Sequence, residues 1–340
     1  MAANEDRCLE IGHMGNSKTP EVAVLLATYN GTHFVEAQIR SLSENRVPFK
    51  VHWIDDHSTD GTRDLVKTVA RNCGVILNEW HQPTHQGVPG TFFQLLECVE
   101  ADIYLFCDQD DIWQPGKIDA TVENLLLDVD SVVLCCSDPL LFREDRPGVA
   151  CRLSDMTDAT ADVALHEARL FMAGVAYGHT QGFTRALRDI VVKHQGIARA
   201  HAYMHDEWLH NIAVAAGVVR ILPDVPTTLY RWHGGNSTNG TGGWRWNRRG
   251  GGRITMTWRQ MQQYRQMIAK QASGFILASP TLPPGPKLER ALEVAHKIAR
   301  LDRRQSLVTF IDMLYRGMLL PTPRLVVTLA ASCLCTNATG

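Results

Sequence analysis

Three carboxylates, Asp108, Asp110 and Asp111, follow directly on the apolar run Tyr104 to Cys107, with Trp113 and Lys117 close behind. Charges packed this tightly repel one another unless a cation stands among them. Asp108 and Asp110 are separated by one residue, and on an extended segment positions i and i+2 point to the same side. Both could therefore approach one Mg2+ or Mn2+, ions that favour oxygen ligands and keep positions free for water and phosphate oxygens. A diphosphate leaving group would complete such a site, with the metal offsetting charge as the bond breaks. The plain alternative is a solvated acidic turn that caps the next helix, a role that suits Asp111.

Other groups fit the same chemistry. Asp55 and Asp56 could accept hydrogen bonds from a nucleobase imide or ribose hydroxyls, or simply form a turn and cap a helix. Lys117 and Arg231 could meet phosphate charge, or form ordinary ion pairs. Asp206 is the general-base candidate: it starts an apolar-faced helix, and a base for an alcohol acceptor should stand apart from groups committed to a metal. Helix capping competes with that reading, and Glu207 could be the base instead. His233, between Trp232 and Gly234, could ligate the metal, bond a phosphate or serve structure alone. Trp113, Trp208 and Trp232 could stack on sugar or base rings, with core packing the competing role for Trp208.

Elements that could position these groups alternate along the first half of the chain. Apolar runs at Val22–Ala27, Val51–Ile54, Val75–Leu77, Ile103–Cys107 and Val132–Cys136 predict five strands. Helical patterns lie between them, carrying Val35, Ile39 and Leu42, then Leu65, Val66 and Val69, then Phe92 to Glu100, then Ile118, Val122 and Leu125. Such alternation predicts βαβ units, a mainly parallel sheet and right-handed crossovers. Polar residues recur at strand C-termini: Thr28 and Tyr29, Asp55 and Asp56, Asp108 to Asp111. In an open α/β sheet these ends line one edge, so distant residues share one cleft.

Further on, Leu170–Tyr177 is apolar, Phe183–Val192 and the segment from His205 read as helices, and Val218–Leu222 reads as a strand. Tyr230–Trp246, rich in Gly, Asn, Arg and aromatic residues, suggests a ligand-facing loop. Helical patterns resume from Thr255 and again around Leu288 to Leu301, broken by the proline-rich stretch to Pro286. Residues 20–240 are expected to form the catalytic domain and residues 241–340 a helical extension that contacts acceptor or membrane surface.

Composition narrows the classes. The chain has 340 residues, 45% hydrophobic and 21% charged, with a formal charge of -2. That balance gives no reason to expect nucleic acid as a partner. Its nine cysteines form neither a CxxC pair nor a metal-site spacing, and the odd count favours a reducing compartment. The first twenty residues lack a signal-peptide core, and no run of about eighteen apolar residues predicts a spanning helix. Met313–Cys335 is a candidate for shallow interfacial contact. A cytoplasmic protein is expected, at the inner face of the cell membrane if that contact forms. No GxGxxG follows the first strand and no GxxxxGK[ST] occurs, which removes support for a dinucleotide dehydrogenase or a P-loop phosphotransferase.

The chain resembles family 2 glycosyltransferases, bacterial rhamnosyltransferase-like members above all. The segments that carry the resemblance are Ala27–Gly31 (ATYNG), Ile54–Gly61 (IDDHSTDG), Cys107–Lys117 (CDQDDIWQPGK), His205–Trp208 (HDEW) and Tyr230–Ser237 (YRWHGGNS). The resemblance implies a GT-A fold and inverting transfer from a nucleotide-activated sugar, a thymidine-linked rhamnose or a uridine-linked hexose, to a glycan or lipid-linked acceptor. It implies that Thr28, Tyr29 and Asp55 or Asp56 serve the nucleotide. Asp108 and Asp110 would serve Mg2+ or Mn2+ and diphosphate, Asp206 would be the base, and His233 would lie near the diphosphate. Two departures stand out: related chains often carry asparagine before the glycine that follows the third strand, where this chain has Gln86, and an aromatic residue where it has Glu207. A metal-dependent nucleotide-sugar hydrolase or nucleotidyltransferase would use the same acids without an acceptor. A non-catalytic carbohydrate-binding module would show no metal-dependent turnover.

Overall fold

The computed structural model describes residues 19–144, 151–152, 170–171, 176–222, 225–233 and 258–300. The glycine-rich loop from Gly234 to Arg253, Leu301 and the apolar stretch Met313–Cys335 lie outside the described residues. Its first half follows the expected alternation. Strand β1 (Val22–Thr28), helix α1 (Val35–Leu42), β2 (Lys50–Asp55), α2 (Thr62–Asn72), β3 (Leu77–Trp80), α3 (Gly87–Cys98) and β4 (Ile103–Cys107) succeed one another. After the acid loop come β5 (Ile112–Trp113), α4 (Lys117–Leu126), β6 (Val133–Ser137), β7 (Leu140–Phe142) and β8 (Cys151–Arg152).

The third strand lies two residues downstream of its expected start. Val75 and Ile76 form its approach, and pairing begins where Leu77 meets Val51. Helix α3 begins earlier than its apolar pattern, because Gly87 adopts a positive φ of 72° that turns the chain into the helix. The segment Phe183–Val192, expected as one helix, divides into strand β9 (Gln181–Thr184) and α5 (Arg185–Lys193). Then follow α6 (Gln195–His201), α7 (His205–Ala216), β10 (Val218–Leu222) and β11 (Thr228–Arg231), and later α8 (Trp258–Ala278) and α9 (Pro286–Ile298). No helix among the described residues is long and apolar enough to cross a membrane.

The main sheet has seven strands in the order β10-β6-β9-β4-β1-β2-β3. Its pairings are parallel except those of β9, which runs antiparallel to both β4 and β6. A smaller sheet, ordered β5-β11-β7-β8, stands beside the acid loop.

Period-two alternation sends successive strand residues to opposite faces. From β1, Ala23 and Leu25 enter one apolar cluster, while Val22, Val24 and Leu26 enter the other. The second cluster packs against α1, α2 and α4 through Val35, Ile39, Val66, Ile118 and Leu125. The first is larger and gathers Phe92, Phe106, Phe183, Trp208 and Ile212. Ile268, Ala272 and Phe275 of α8 and Leu288, Val294 and Ile298 of α9 belong to that same cluster. These two C-terminal helices therefore help to bury the face that carries α7. Cys107, Cys135 and Cys136 are buried free thiols, as their apolar runs suggest.

Candidate active site

The register of the central strands decides which side chains meet. β1 lies between β2 and β4, pairing Thr28 with Asp55 and Leu26 with Cys107. Thr28, Asp55 and Asp108 therefore leave the sheet at one edge. Antiparallel β9 begins at this edge, since its first residue, Gln181, pairs with Cys136. The 3-10 turn Gly178–Thr180 that precedes it is delivered there too.

The two aspartates after β2 have different environments. Asp56 is 2% exposed, and its carboxylate accepts hydrogen bonds from the backbone N–H groups of Gln86 (2.9 Å) and Gly87 (2.8 Å) and from Gln82 Nε2, while His85 Nδ1 bonds the Asp56 carbonyl (3.0 Å) and stands 2.9 Å from the carboxylate. Three donors take most of a carboxylate's accepting capacity. Asp56 thus fixes the loop that starts α3. Asp55 is half-buried and accepts the Thr28 hydroxyl (2.9 Å), the Ser58 N–H (2.9 Å) and the Ser58 hydroxyl (2.6 Å). Trp53 Nε1 donates to Thr28 Oγ1 (2.9 Å), which turns the hydroxyl hydrogen towards Asp55. Three donors leave Asp55 capacity for one more, and Tyr29, which follows Thr28, is 47% exposed with its ring 4.5 Å from that of His85.

Gln109 ties this corner to the acid loop. Its Oε1 accepts the Tyr29 N–H (2.9 Å) and its Nε2 donates to the Tyr29 carbonyl (3.0 Å). Gly31 allows that approach: a Cβ there would stand 2.2 Å from Gln109 Oε1. Reading the loop for its charges overlooked Gln109. Its place between the two metal candidates was the available signal, because i+1 on an extended segment faces away from i and i+2.

On the acid loop, Asp110 Oδ2 meets His233 Nε2 at 2.8 Å, and His233 stacks on Phe34 with ring centroids 4.5 Å apart. His233 thereby orients Asp110. Arg231 is buried; its Nε donates to the Asp110 carbonyl (2.7 Å), its backbone N–H donates to Asp111 Oδ1 (3.0 Å), and Nη1 meets Glu144. It clamps the loop from the smaller sheet. Lys117 is also buried, beneath the loop, with its ammonium over the Trp113 ring. Neither cation lies open to a phosphate in this arrangement. Trp113 and Trp208 are core residues, whereas Trp232 and Glu207 are half-buried.

Asp206 is the second residue of α7, where the helix dipole favours a carboxylate. Its Oδ2 accepts the Gly178 N–H (2.8 Å) and its Oδ1 the Glu207 N–H (2.8 Å). Gly178 leaves little room beside it: a Cβ there would lie 3.2 Å from His205 Nε2 and 3.3 Å from Asp206 Oδ2. Desolvation raises the Asp206 carboxyl to about 6, against the pull of those two N–H donors. Desolvation also raises Asp108, to about 8, assisted by the charges of Asp110 and Asp206 and opposed by Lys117. Asp206 and Asp108 thus sense each other across one cleft, although 98 positions separate them in the chain.

A divalent ion fits this donor set. Asp108 and Asp110 present hard oxygen ligands, and the Asp108 carboxyl, raised first by burial and then by like charges, is one that a cation would draw down. Among the described residues no group of three or more His, Cys, Asp or Glu side chains could hold an ion alone.

Known proteins share sequence and fold with this chain. The model of Glycosyl transferase family 2 matches residues 23–139. The chain is 25% identical over 218 residues to the dTDP-rhamnosyl transferase RfbG of Shigella flexneri, covering 62% of this chain and 72% of that protein. Its fold is similar to that of the mannosyltransferase PcManGT from Pyrobaculum calidifontis, solved in complex with GDP-Man and Mn2+. There the TM-score is 0.55 at 16% identity, with 95% of this chain and 80% of that one covered. Staphylococcus aureus TarS gives a TM-score of 0.55 at 15% identity over 94% of this chain and 54% of its own. The α/β architecture is that of GT-A enzymes.

Proposed function

We propose that this glycosyltransferase, whose family 2 domain spans residues 23–139, transfers a sugar with inversion from a nucleoside-diphosphate donor to a hydroxyl of a glycan or lipid-linked acceptor. The observation that carries the reading is the meeting of Asp206 with Asp108 and Asp110 at one sheet edge, from separate elements and with opposed duties. Asp55 accepts a donor N–H or O–H from the base or ribose, and Tyr29 offers its exposed ring to the base. Thr28 holds Asp55 in place. Asp108 and Asp110 would hold Mg2+ or Mn2+, which would supply charge neutralisation to a diphosphate leaving group. His233 and Arg231 keep Asp110 turned towards the cleft.

Asp206 takes the proton of the acceptor hydroxyl as its oxygen attacks the anomeric carbon. The bond to the diphosphate breaks on the opposite face, and a single displacement inverts the anomeric configuration. The carboxylate is suited to this: near neutral pH it is largely ionised, yet basic enough to accept a proton. Glu207 and Trp232, half-buried at the same rim, are acceptor or sugar contacts. Likeness to the S. flexneri enzyme supports dTDP-L-rhamnose as the first donor to test, with UDP-hexoses next.

The test is to screen nucleotide sugars by calorimetry with Mn2+, then to offer the best donor with candidate glycan and lipid-linked acceptors. A product whose new glycosidic bond has the anomeric configuration opposite to the donor's is expected. Release of free sugar or sugar phosphate without acceptor glycosylation would identify a hydrolase or a nucleotidyltransferase instead.

A further inference from the structure

Two loops at the ligand edge are each held from behind by their own contacts. The β1–α1 loop is pinned to the turn between β2 and α2. There Ser58 Oγ accepts the Asn30 N–H (2.8 Å), Asn30 Oδ1 accepts the Thr59 N–H (2.9 Å) and Thr62 Oγ1 accepts the Gly31 N–H (2.7 Å). Ser58 also donates its hydroxyl to Asp55, so Tyr29 and Asp55 belong to one braced corner. The acid loop is held from the other side, by Arg231 and His233.

Gln109 joins the corner to the loop. Both ends of its half-buried amide meet the Tyr29 backbone, accepting the N–H (2.9 Å) and donating to the carbonyl (3.0 Å). A two-point bond fixes distance and orientation together. The stack of His233 on Phe34 is a second, apolar tie between the acid loop and the start of α1. Room for the amide comes from the missing side chain at position 31. The three atoms nearest to a Cβ there are Gln109 Oε1 (2.2 Å), Cδ (2.6 Å) and Nε2 (3.2 Å). Gly61, Gly74, Gly87 and Gly116 take positive φ angles and Gly31 does not, so its backbone is one that alanine also adopts. What glycine supplies at this position is the gap that Gln109 fills.

We propose that Gln109 is a positioning residue that sets the span between the corner and the acid loop, so that a nucleoside diphosphate is gripped at both ends at once. Gly31 is the gap that admits it. The inference rests on the proposed reading, in which Tyr29 and Asp55 face the nucleoside and Asp108 and Asp110 face the diphosphate. A linked ligand gains over its separate halves when the two subsites stand at the span of the linkage. Loosening the join therefore weakens the whole ligand and spares the halves. Damage to either loop would instead weaken the half which that loop binds.

The experiment compares the full chain with Gln109→Ala, Gly31→Ala and the double variant, all in excess Mg2+. Calorimetry measures dTDP binding, and ligand-observed NMR measures thymidine and pyrophosphate separately. UDP with uridine, or GDP with guanosine, takes their place if the parent prefers that base. For Gln109→Ala, dTDP binding about three- to tenfold weaker is expected, with each half within about twofold of the parent. Gly31→Ala should reproduce that pattern, because its methyl displaces the amide. Added to Gln109→Ala it should cost less than about twofold more, because no amide is left to displace. Unchanged dTDP binding by folded Gln109→Ala overturns the proposal, and so does an equal loss for dTDP and for either half. A Gly31→Ala effect that persists in full without Gln109 overturns it as well. If Gln109→Ala does not fold, Gly31→Ala decides by the same comparison of whole ligand and halves. If the parent binds none of the three nucleoside diphosphates, the reading of the cleft fails and this inference fails with it.

Discussion

Replacing Asp206 with Asn tests the assignment of the base most directly. The substitution preserves shape, so the folded site should still bind donor. Asp206 accepts two backbone N–H groups at 2.8 Å, one on each oxygen. An amide can accept only one of them and turns an NH2 towards the other, so stability should fall by about 1–3 kcal/mol. Turnover should fall much further, because a positioned base contributes roughly 10²–10⁴ in rate. That loss corresponds to about 2.7–5.4 kcal/mol of barrier.

The pH profile separates the base from a merely structural aspartate. Asp206 titrates at about 6, so the active ionised form is lost as pH falls through that value. The rate should then drop tenfold per unit below the midpoint. A cation bound at Asp108 and Asp110 draws the midpoint lower still, so the acidic limb belongs at or below about pH 6. The assay is nucleoside diphosphate release from the screened donor, with its acceptor, between pH 4.5 and 8.5. The argument fails if folded Asp206→Asn turns over near the parental rate. It also fails if the variant keeps the same acidic limb, or if the parental limb lies above pH 7.

Four further outcomes follow from the same geometry. Asp110→Ala should abolish the Mn2+ dependence of donor affinity, measured by calorimetry with and without metal, while leaving the melting temperature within a few degrees. Asp55→Ala should weaken nucleotide binding about tenfold or more, or about 1.4 kcal/mol, whereas Asp56→Ala should mainly lower the denaturant midpoint, because three donors lose their acceptor. Gln109→Ala should weaken donor binding with little change in stability, because the partners it leaves on Tyr29 can turn to water. His205 stacks on Phe92 at 4.0 Å and is held down to about 3 by burial, so the folded protein keeps it neutral while the unfolded chain protonates it below about 6.5. Its stabilising contribution is therefore lost as pH falls from 6.5, and His205→Phe should gain about 1.4 kcal/mol on the parent between pH 7.5 and 5.5 in urea melts.

Much of this arrangement was legible because the relevant signals were local. Alternating apolar runs marked β1, β2, β4 and β6 within a residue of their ends, and polar residues after them marked the edge. Where the reading shifted, a non-local cause decided. Gln181–Thr184 carries little strand pattern of its own; it is a strand because β4 and β6 on either side offer unpaired backbone groups that it satisfies. Lys117 and Arg231 looked like phosphate ligands by type, and only their packing beneath and beside the acid loop shows them buried. The division between Asp55 and Asp56 was equally invisible in sequence. Adjacent residues at a strand end face opposite ways, and which one turns inward depends on the loop that closes over it.

The antiparallel strand is what makes the site possible. A purely parallel sheet delivers only the residues that follow each strand to the ligand edge. β9 enters from that edge, so the residues before it, Gly178 among them, arrive beside Asp108. Gly178 then donates its N–H to Asp206 and holds that carboxylate, the proposed base, at the start of α7, on an element separate from the acid loop. Like charges on one rigid loop would shift together with every change in metal occupancy. Placing the base on α7, braced by backbone N–H groups and by a core that includes α8 and α9, lets its basicity be set largely by burial and helix position. On the proposed mechanism, the one reversed strand among the described residues of this sheet would separate leaving-group stabilisation from proton transfer within a single cleft.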